Sequence, residues 1–479
     1  LLKAKSNSFF GNSLMIFLIR FFPAFANLVV IIYFSHQLSK EAYGTYQNFW
    51  IQYYIFYPFV CMGIHLWLVT YSKVAVAGFF RQLRARYIAL YLVWVVLLSI
   101  LFGCLEYYGQ GNLFLMPLLF LLLTPVCAIL ESFLIICKRY QLLVILNVGY
   151  AALYVALHFH TIHAGHALPF LFWGICLLTA VKAIVCIADA SRCYKAERPN
   201  AADSSAEALS TQKVSLMFHM GFFDVLQMLA NSVDKFIISL LLPAAQSAIY
   251  FNGSMNVPFL PMLLSAASSA VLIQLATADS ANEHQATAIS MRNMGATLSA
   301  IVFPVFFFIV FFRYELFSVV FGAKYLPSVP IFLITSLALP LRAYSFNTPL
   351  QKLHKGRIIN IGSLAELILA CAIMYPLYVW FGLCGVAMSF VITTYLLAAF
   401  YIVQSAKYLK VPVLSMLPVK NWLIKLVILA LIFYPAHSLL AGFCSVKTTF
   451  FVGGSIMAAA IAIAFYGDVR ARTKQSSML

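Results

Sequence analysis

Apolar runs of about twenty residues, each long enough to cross a bilayer as one helix, follow one another along almost the whole chain. Fourteen are predicted as transmembrane spans, near 9–36, 45–71, 87–105, 112–137, 141–160, 167–190, 214–242, 246–275, 294–312, 326–346, 358–380, 383–403, 421–440 and 447–466. In places the apolar pattern breaks. The stretch "MGFFDVLQMLANSVDKFIISLLL", from Met220 to Leu242, carries Asp224, Asp234 and Lys235. One ionised side chain at the centre of a spanning helix costs roughly 2.5–3.5 kcal/mol. These three are therefore expected to face protein or a water-filled cavity rather than lipid.

At about 100° per residue, Asn231 and Lys235 fall within roughly 20° of Asp224; Gln227 lies about 60° to one side, and Asp234 occupies the adjoining row. The first span repeats the device at heptad spacing, with Ser13, Arg20 and Asn27 in line. Arg20 and Asp224 each lie about ten residues, or roughly 15 Å, past the start of their helices. Glu366 on the eleventh span is expected at similar depth, with Thr393 and Thr394 of the twelfth nearby. Such a layer of one arginine, two carboxylates and hydroxyls is where transporters keep substrate and coupling sites. A structural ion pair, such as Arg20 with Asp224, is the competing reading, and Asp234 with Lys235 could be a local pair.

Composition agrees with a polytopic membrane protein: 63% of the 479 residues are hydrophobic and 9% charged, with a mean hydropathy of +0.93. Soluble domains carry about 25% charged residues. No removable signal is read ahead of the first span. The ten cysteines, several inside apolar runs, are expected to be packed thiols. The net charge of +17 is informative only by position. Of the 31 Lys and Arg, 24 fall on the side of the chain termini. Only Lys40, Arg313, Lys324 and Lys447 fall on the other, while Arg20, Lys235 and Lys425 lie in or at spans. Positive residues concentrate on the cytoplasmic face, so both termini are expected there, with anionic lipid as partner and no role for nucleic acid.

The one long polar segment, "ADASRCYKAERPNAADSSAEALSTQK", reads as a linker. On either side of it the chain resembles itself. "SLMIFLIRFFPAFANLVVIIYF" from Ser13 and "SLMFHMGFFDVLQMLANSVDKF" from Ser215 both open Ser-Leu-Met and both carry Ala-Asn; "LSKEAYGTY" and "LPAAQSAIY" follow in turn. The expected fold is all-α, with two parallel six-helix lobes in pseudo-twofold arrangement and two C-terminal helices. The boundaries are a first lobe over 1–190, a linker over 191–213, a second lobe over 214–403, and two further spans with a tail over 404–479.

Amides and aromatic rings gather on the second and eighth spans, including Tyr46, Tyr250 and Asn252, and would suit stacking on sugars and hydrogen bonding to their hydroxyls. Interfacial belts and helix packing account for such rings equally well. "HFHTIHAGH" places His158, His160, His163 and His166 in a short outer turn; without acidic neighbours it reads as an interfacial cluster rather than a zinc site. Glu131 is expected to snorkel to the interface or pack against a neighbouring helix. No Gly-rich nucleotide loop or Ser/His/Asp array is present, so ATP use and hydrolytic chemistry are not supported and no enzyme is predicted.

The "LSKEAYGTYQNF" hairpin behind a first helix containing Arg20, together with "NSVDKFIISLLLPAAQSAIYFNGSMNVPF", resembles the Wzx-type polysaccharide flippases of the MOP superfamily. That superfamily also holds lipid II flippases and MATE exporters. The resemblance implies a monomeric two-lobe transporter in the bacterial inner membrane. It would carry an undecaprenyl-diphosphate-linked oligosaccharide outward by alternating access, alongside polysaccharide polymerase machinery and without a cofactor. Substrate contacts are expected from Arg20, Lys235, Asn27, Asn231, Gln227, Tyr46, Tyr250 and Asn252, and H+ or Na+ coupling from Asp224, Glu366, Asp234 and Thr394. Arg342, Lys352 and Lys355 would gather the anionic headgroup at the cytoplasmic face.

Overall fold

The computed structural model describes residues 2–69, 76, 84–111, 114–196, 211–257, 260–261, 264, 283–353 and 355–476. Among the described residues there is no strand, and ten helices are long and apolar enough to cross a membrane. The chain divides into two compact units, Leu1–Ser247 and Ala248–Leu479. Most of the linker expected over 191–213, and most of the span expected over 246–275, lie outside the described residues.

The first unit contains α1 (Leu2–Gln37), α2 (Lys40–Cys61), a short α3 (Ile64–Leu68) and α4 (Ala85–Glu106), which runs into a π-helical turn (Tyr107–Gly111). Helices α5 (Leu115–Ile136), α6 (Tyr140–His163), α7 (Leu168–Ala196) and α8 (Thr211–Leu241) follow. Helix α9 (Ala244–Gly253) crosses into the second unit. Ser39 starts α2 by accepting a hydrogen bond from the Ala42 amide at 3.2 Å, as an N-cap does. Met62 (φ 46°) and Gly63 (φ 70°) stop it, so the run expected as one span over 45–71 is two helices. The carbonyls near this break are satisfied from α4: Tyr91 Oη donates to Val60 O and Trp94 Nε1 to Phe59 O, each at 3.0 Å.

Helix α8 lies along α2. A methyl on Gly44 would meet the Ala244 carbonyl, and one on Gly221 would meet the Met62 carbonyl, so backbones touch towards both ends of α2. Around the middle of α2, Phe34, Phe49, Trp50, Phe120 and Phe172 pack into an aromatic core. The outward side of α4, with Leu90 and Leu97, is left for lipid.

The second unit opens on α10 (Glu283–Val320), which has Pro304 inside it and non-helical angles at Phe312. Here the structure departs from the expected continuous span over 326–346. That segment is a 3-10 turn (Ala323–Ser328), an eight-residue α11 (Val329–Ser336) and a second 3-10 turn (Leu339–Ala343), followed by α12 (Thr348–Lys352). Pro327, Pro330 and Pro340, three within fourteen residues, each remove a backbone donor and favour the interruption, although single prolines are accommodated inside other helices such as α10. The Leu337 carbonyl released by the break accepts from Tyr395 Oη at 2.8 Å. Helices α13 (Gly356–Phe381), α14 (Leu383–Leu409), α15 (Val413–Met416), α16 (Val419–Phe443) and α17 (Val446–Ser476) complete the unit.

Candidate transport site

In the first unit one residue of each polar stripe lies near the break between α2 and α3. Arg20 is exposed and within electrostatic reach of His65 on α3. Asp224, half-buried on α8, is within electrostatic reach of Cys61, the last residue of α2. Among the described residues no ion pair joins Arg20 to Asp224, so the pairing considered from the sequence is not formed. A cation and a carboxylate therefore flank a kinked backbone without neutralising each other.

Further along α8 the polar residues bond to the helix itself. Asn231 Nδ2 donates to the Gln227 carbonyl at 2.6 Å, and Lys235 Nζ to the Asn231 carbonyl at 3.3 Å. Lys235 also lies 3.5 Å from the buried Asp234 carboxylate, the local pair considered above. Asn27 is half-buried on α1. Tyr46 is 1% exposed, with its hydroxyl 3.0 Å from Tyr154 Oη and 3.1 Å from His158 Nε2. It is part of the aromatic core, and reaching a ligand would require that core to open. His158 is thereby turned inward, away from the rest of its cluster. Among the described residues no three His, Cys, Asp or Glu side chains converge as metal ligands.

In the second unit Glu366 on α13 and Thr394 on α14 meet: Thr394 Oγ1, which donates to the Phe390 carbonyl at 2.8 Å, lies 3.4 Å from Glu366 Oε1. Arg342, on the 3-10 turn of the broken segment, lies within electrostatic reach of Glu366. This places it beside a membrane carboxylate rather than among lysines alone. Tyr250 and Asn252 are fully buried in α9.

Three charged clusters were not legible beforehand. Glu131 of α5 pairs with Lys182 of α7 at 2.5 Å; Asn147 of α6 donates to Glu131 at 3.4 Å and accepts from Lys182 at 3.0 Å. One carboxylate, one ammonium and one amide thus tie three helices. Lys425 of α16 pairs with Asp468 of α17 at 2.6 Å and donates to the Ala296 carbonyl of α10 at 2.6 Å. At a helix end, Arg139 grips Asp189 through two bonds of 2.9 and 2.8 Å, which holds the guanidinium above its usual pKa range. Lys182 and Lys425 were visible as charges in or near spans. Their partners depend on which helices touch, and the chain order does not encode that.

The fold is similar to that of solved transporters of the MOP superfamily. The chain is similar to the lipid II flippase MurJ in an inward closed conformation, with a TM-score of 0.62 and 14% identity over 94% of this chain and 98% of that one. It is similar to a MOP superfamily transporter from Pyrococcus furiosus, with a TM-score of 0.55 and 11% identity over 83% and 94%. An inward-facing multidrug resistance MATE family transporter aligns with a TM-score of 0.54 and 13% identity over 80% and 94%. Residues 36–330 match the polysaccharide biosynthesis protein family, and the chain belongs to that family. The sequence matches no curated protein.

Proposed function

We propose that the protein is a flippase that moves an undecaprenyl-diphosphate-linked oligosaccharide from the cytoplasmic to the periplasmic leaflet of the inner membrane by alternating access. The observation that carries this reading is Arg20: an arginine in a membrane helix, exposed and not ion-paired to the carboxylate nearest its level. A diphosphate cannot enter hydrocarbon without a counter-charge, and a guanidinium offers two parallel donors to phosphate oxygens. Lys235, held to Asp234 and its own helix, is the second candidate. Asn27, Gln227 and Asn231 provide amides along the same stripes for sugar hydroxyls. Asp224 and the Glu366–Thr394 pair are the carboxylate sites at which a proton or sodium ion would couple transport to an ion gradient or the membrane potential. Membership of a polysaccharide biosynthesis family and the MOP fold support the same class of cargo.

Deletion in the native host tests the reading. Viable cells that lose surface glycan and accumulate the lipid-linked repeat unit on the inner leaflet are expected. Lysis with trapped cell-wall precursor would move the cargo to lipid II, and intact glycan with new drug sensitivity would make the protein an exporter.

A further inference from the structure

One end of the first unit holds a pocket of about 730 Å³, where the start of α2, the end of α4 with its π-helical turn and the end of α8 come together. Leu101, Leu105, Leu240 and Leu241 form an apolar side. The mouth is open, with Tyr108 84% and Leu241 75% exposed. The polar side is made of Thr45, Gln52 and Ser239.

These three residues have a one-sided hydrogen-bonding capacity. Thr45 Oγ1 donates its proton to the Glu41 carbonyl at 3.0 Å, and Ser239 Oγ donates to the Phe236 carbonyl at 2.7 Å. Gln52 Nε2 donates to Ser239 Oγ at 3.5 Å, which orients the amide. Gln52 Oε1 is then left with no partner, on a side chain of a residue only 2% exposed. A buried acceptor without a donor is costly, so it points to a missing one. The wall thus offers three oxygen acceptors: the Gln52 carbonyl oxygen and two hydroxyls whose protons are already donated. Among the pocket's described lining residues there is no Lys, Arg or His. A phosphate, which brings only acceptors and negative charge, meets no cationic side chain among these residues. A ligand rich in hydroxyl donors and attached to hydrocarbon satisfies both sides, and the exposed Tyr108 ring can stack on a sugar face.

We propose that this pocket binds a sugar of the lipid-linked saccharide, its hydroxyls donating to Gln52, Ser239 and Thr45 and its lipid lying along the leucines. The identity of that occupant rests on the flippase reading; the preference for an uncharged polyol amphiphile does not. The probe is dodecyl maltoside at sub-micellar concentration, added to full-length protein in amphipol, with bound ligand counted by native mass spectrometry. Dodecyl phosphate and dodecylamine carry the same tail with a phosphate or an ammonium head. Saturable binding of dodecyl maltoside at least tenfold tighter than either control is expected. Gln52→Leu, which removes the unpaired acceptor, and Leu105→Trp, which fills the apolar side, should each weaken it at least tenfold while the melting temperature holds. Equal binding of all three amphiphiles, or wild-type affinity in both variants, would overturn the site. Glycoside binding by a protein that does not flip lipid-linked saccharide would overturn the flippase reading alone. Flipping without glycoside binding would remove only the pocket.

Discussion

Arg20 and Lys182 show how differently two membrane cations can be used. Lys182 is enclosed by Glu131 and Asn147 and lies 4.8 Å from the Tyr150 ring centroid, so its charge is spent inside the protein. Removing one partner of such a pair leaves the other charge buried, at a cost of about 3–5 kcal/mol. Lys182→Met is therefore expected to lose about that much stability in detergent, measured by denaturant unfolding, whereas Glu131→Gln with Lys182→Met should recover most of it. Equal stability of all three proteins would mean the cluster holds nothing together. Arg20 has no such enclosure. Arg20→Ala should leave insertion and melting temperature within experimental error and abolish flipping of the lipid-linked saccharide in reconstituted vesicles. Arg20→Lys should retain part of the rate, because a point charge still meets the diphosphate but the paired donors are lost. Unimpaired flipping by Arg20→Ala would take Arg20 out of the mechanism.

At the scale of elements, the periodic apolar runs located the helices well and described their interruptions poorly. Helices α1, α4 to α8, α13, α14, α16 and α17 all fall on predicted spans. The segment over 326–346 is just as apolar, but its closely spaced prolines favour a broken helix, which hydropathy does not register. The stop at Met62–Gly63 depends on left-handed angles at a non-glycine residue, for which the sequence carries no clear signal. The polar stripe of α8 was legible because heptad spacing needs only the helix. The Glu131–Lys182 pair needs contact between α5 and α7, so it was not. The close approach of α2 to the start of α9 gives a direct test. Gly44→Leu puts a side chain where the Ala244 carbonyl lies, and neither backbone can yield without moving its helix. Overpacking of this kind typically costs about 1–3 kcal/mol, occasionally more. The variant should show a lower melting temperature and weaker flipping together, while Gly442→Leu, where nothing lies within 4 Å, should show neither.

For the whole molecule the decisive quantity is orientation, because a flippase that works outward must present its cationic end inward. The charge count of 24 against four over 31 Lys and Arg predicts that orientation, through electrostatics at insertion rather than packing. Two cysteines report it independently. Cys444 is exposed where α16 ends, in the turn before α17, and Cys137 lies in the turn between α5 and α6. On the predicted topology, with both termini cytoplasmic, Cys444 follows the thirteenth predicted span and is expected outside, and Cys137 follows the fourth and is expected inside. A membrane-impermeant maleimide added to intact spheroplasts should label Cys444 and lose that label in Cys444→Ser. Cys137 should react only after permeabilisation. Labelling of Cys137 first would invert the protein, place Lys182, Arg139 and the other charges of the basic side outside, and reverse the transport direction that the Arg20 site is proposed to serve.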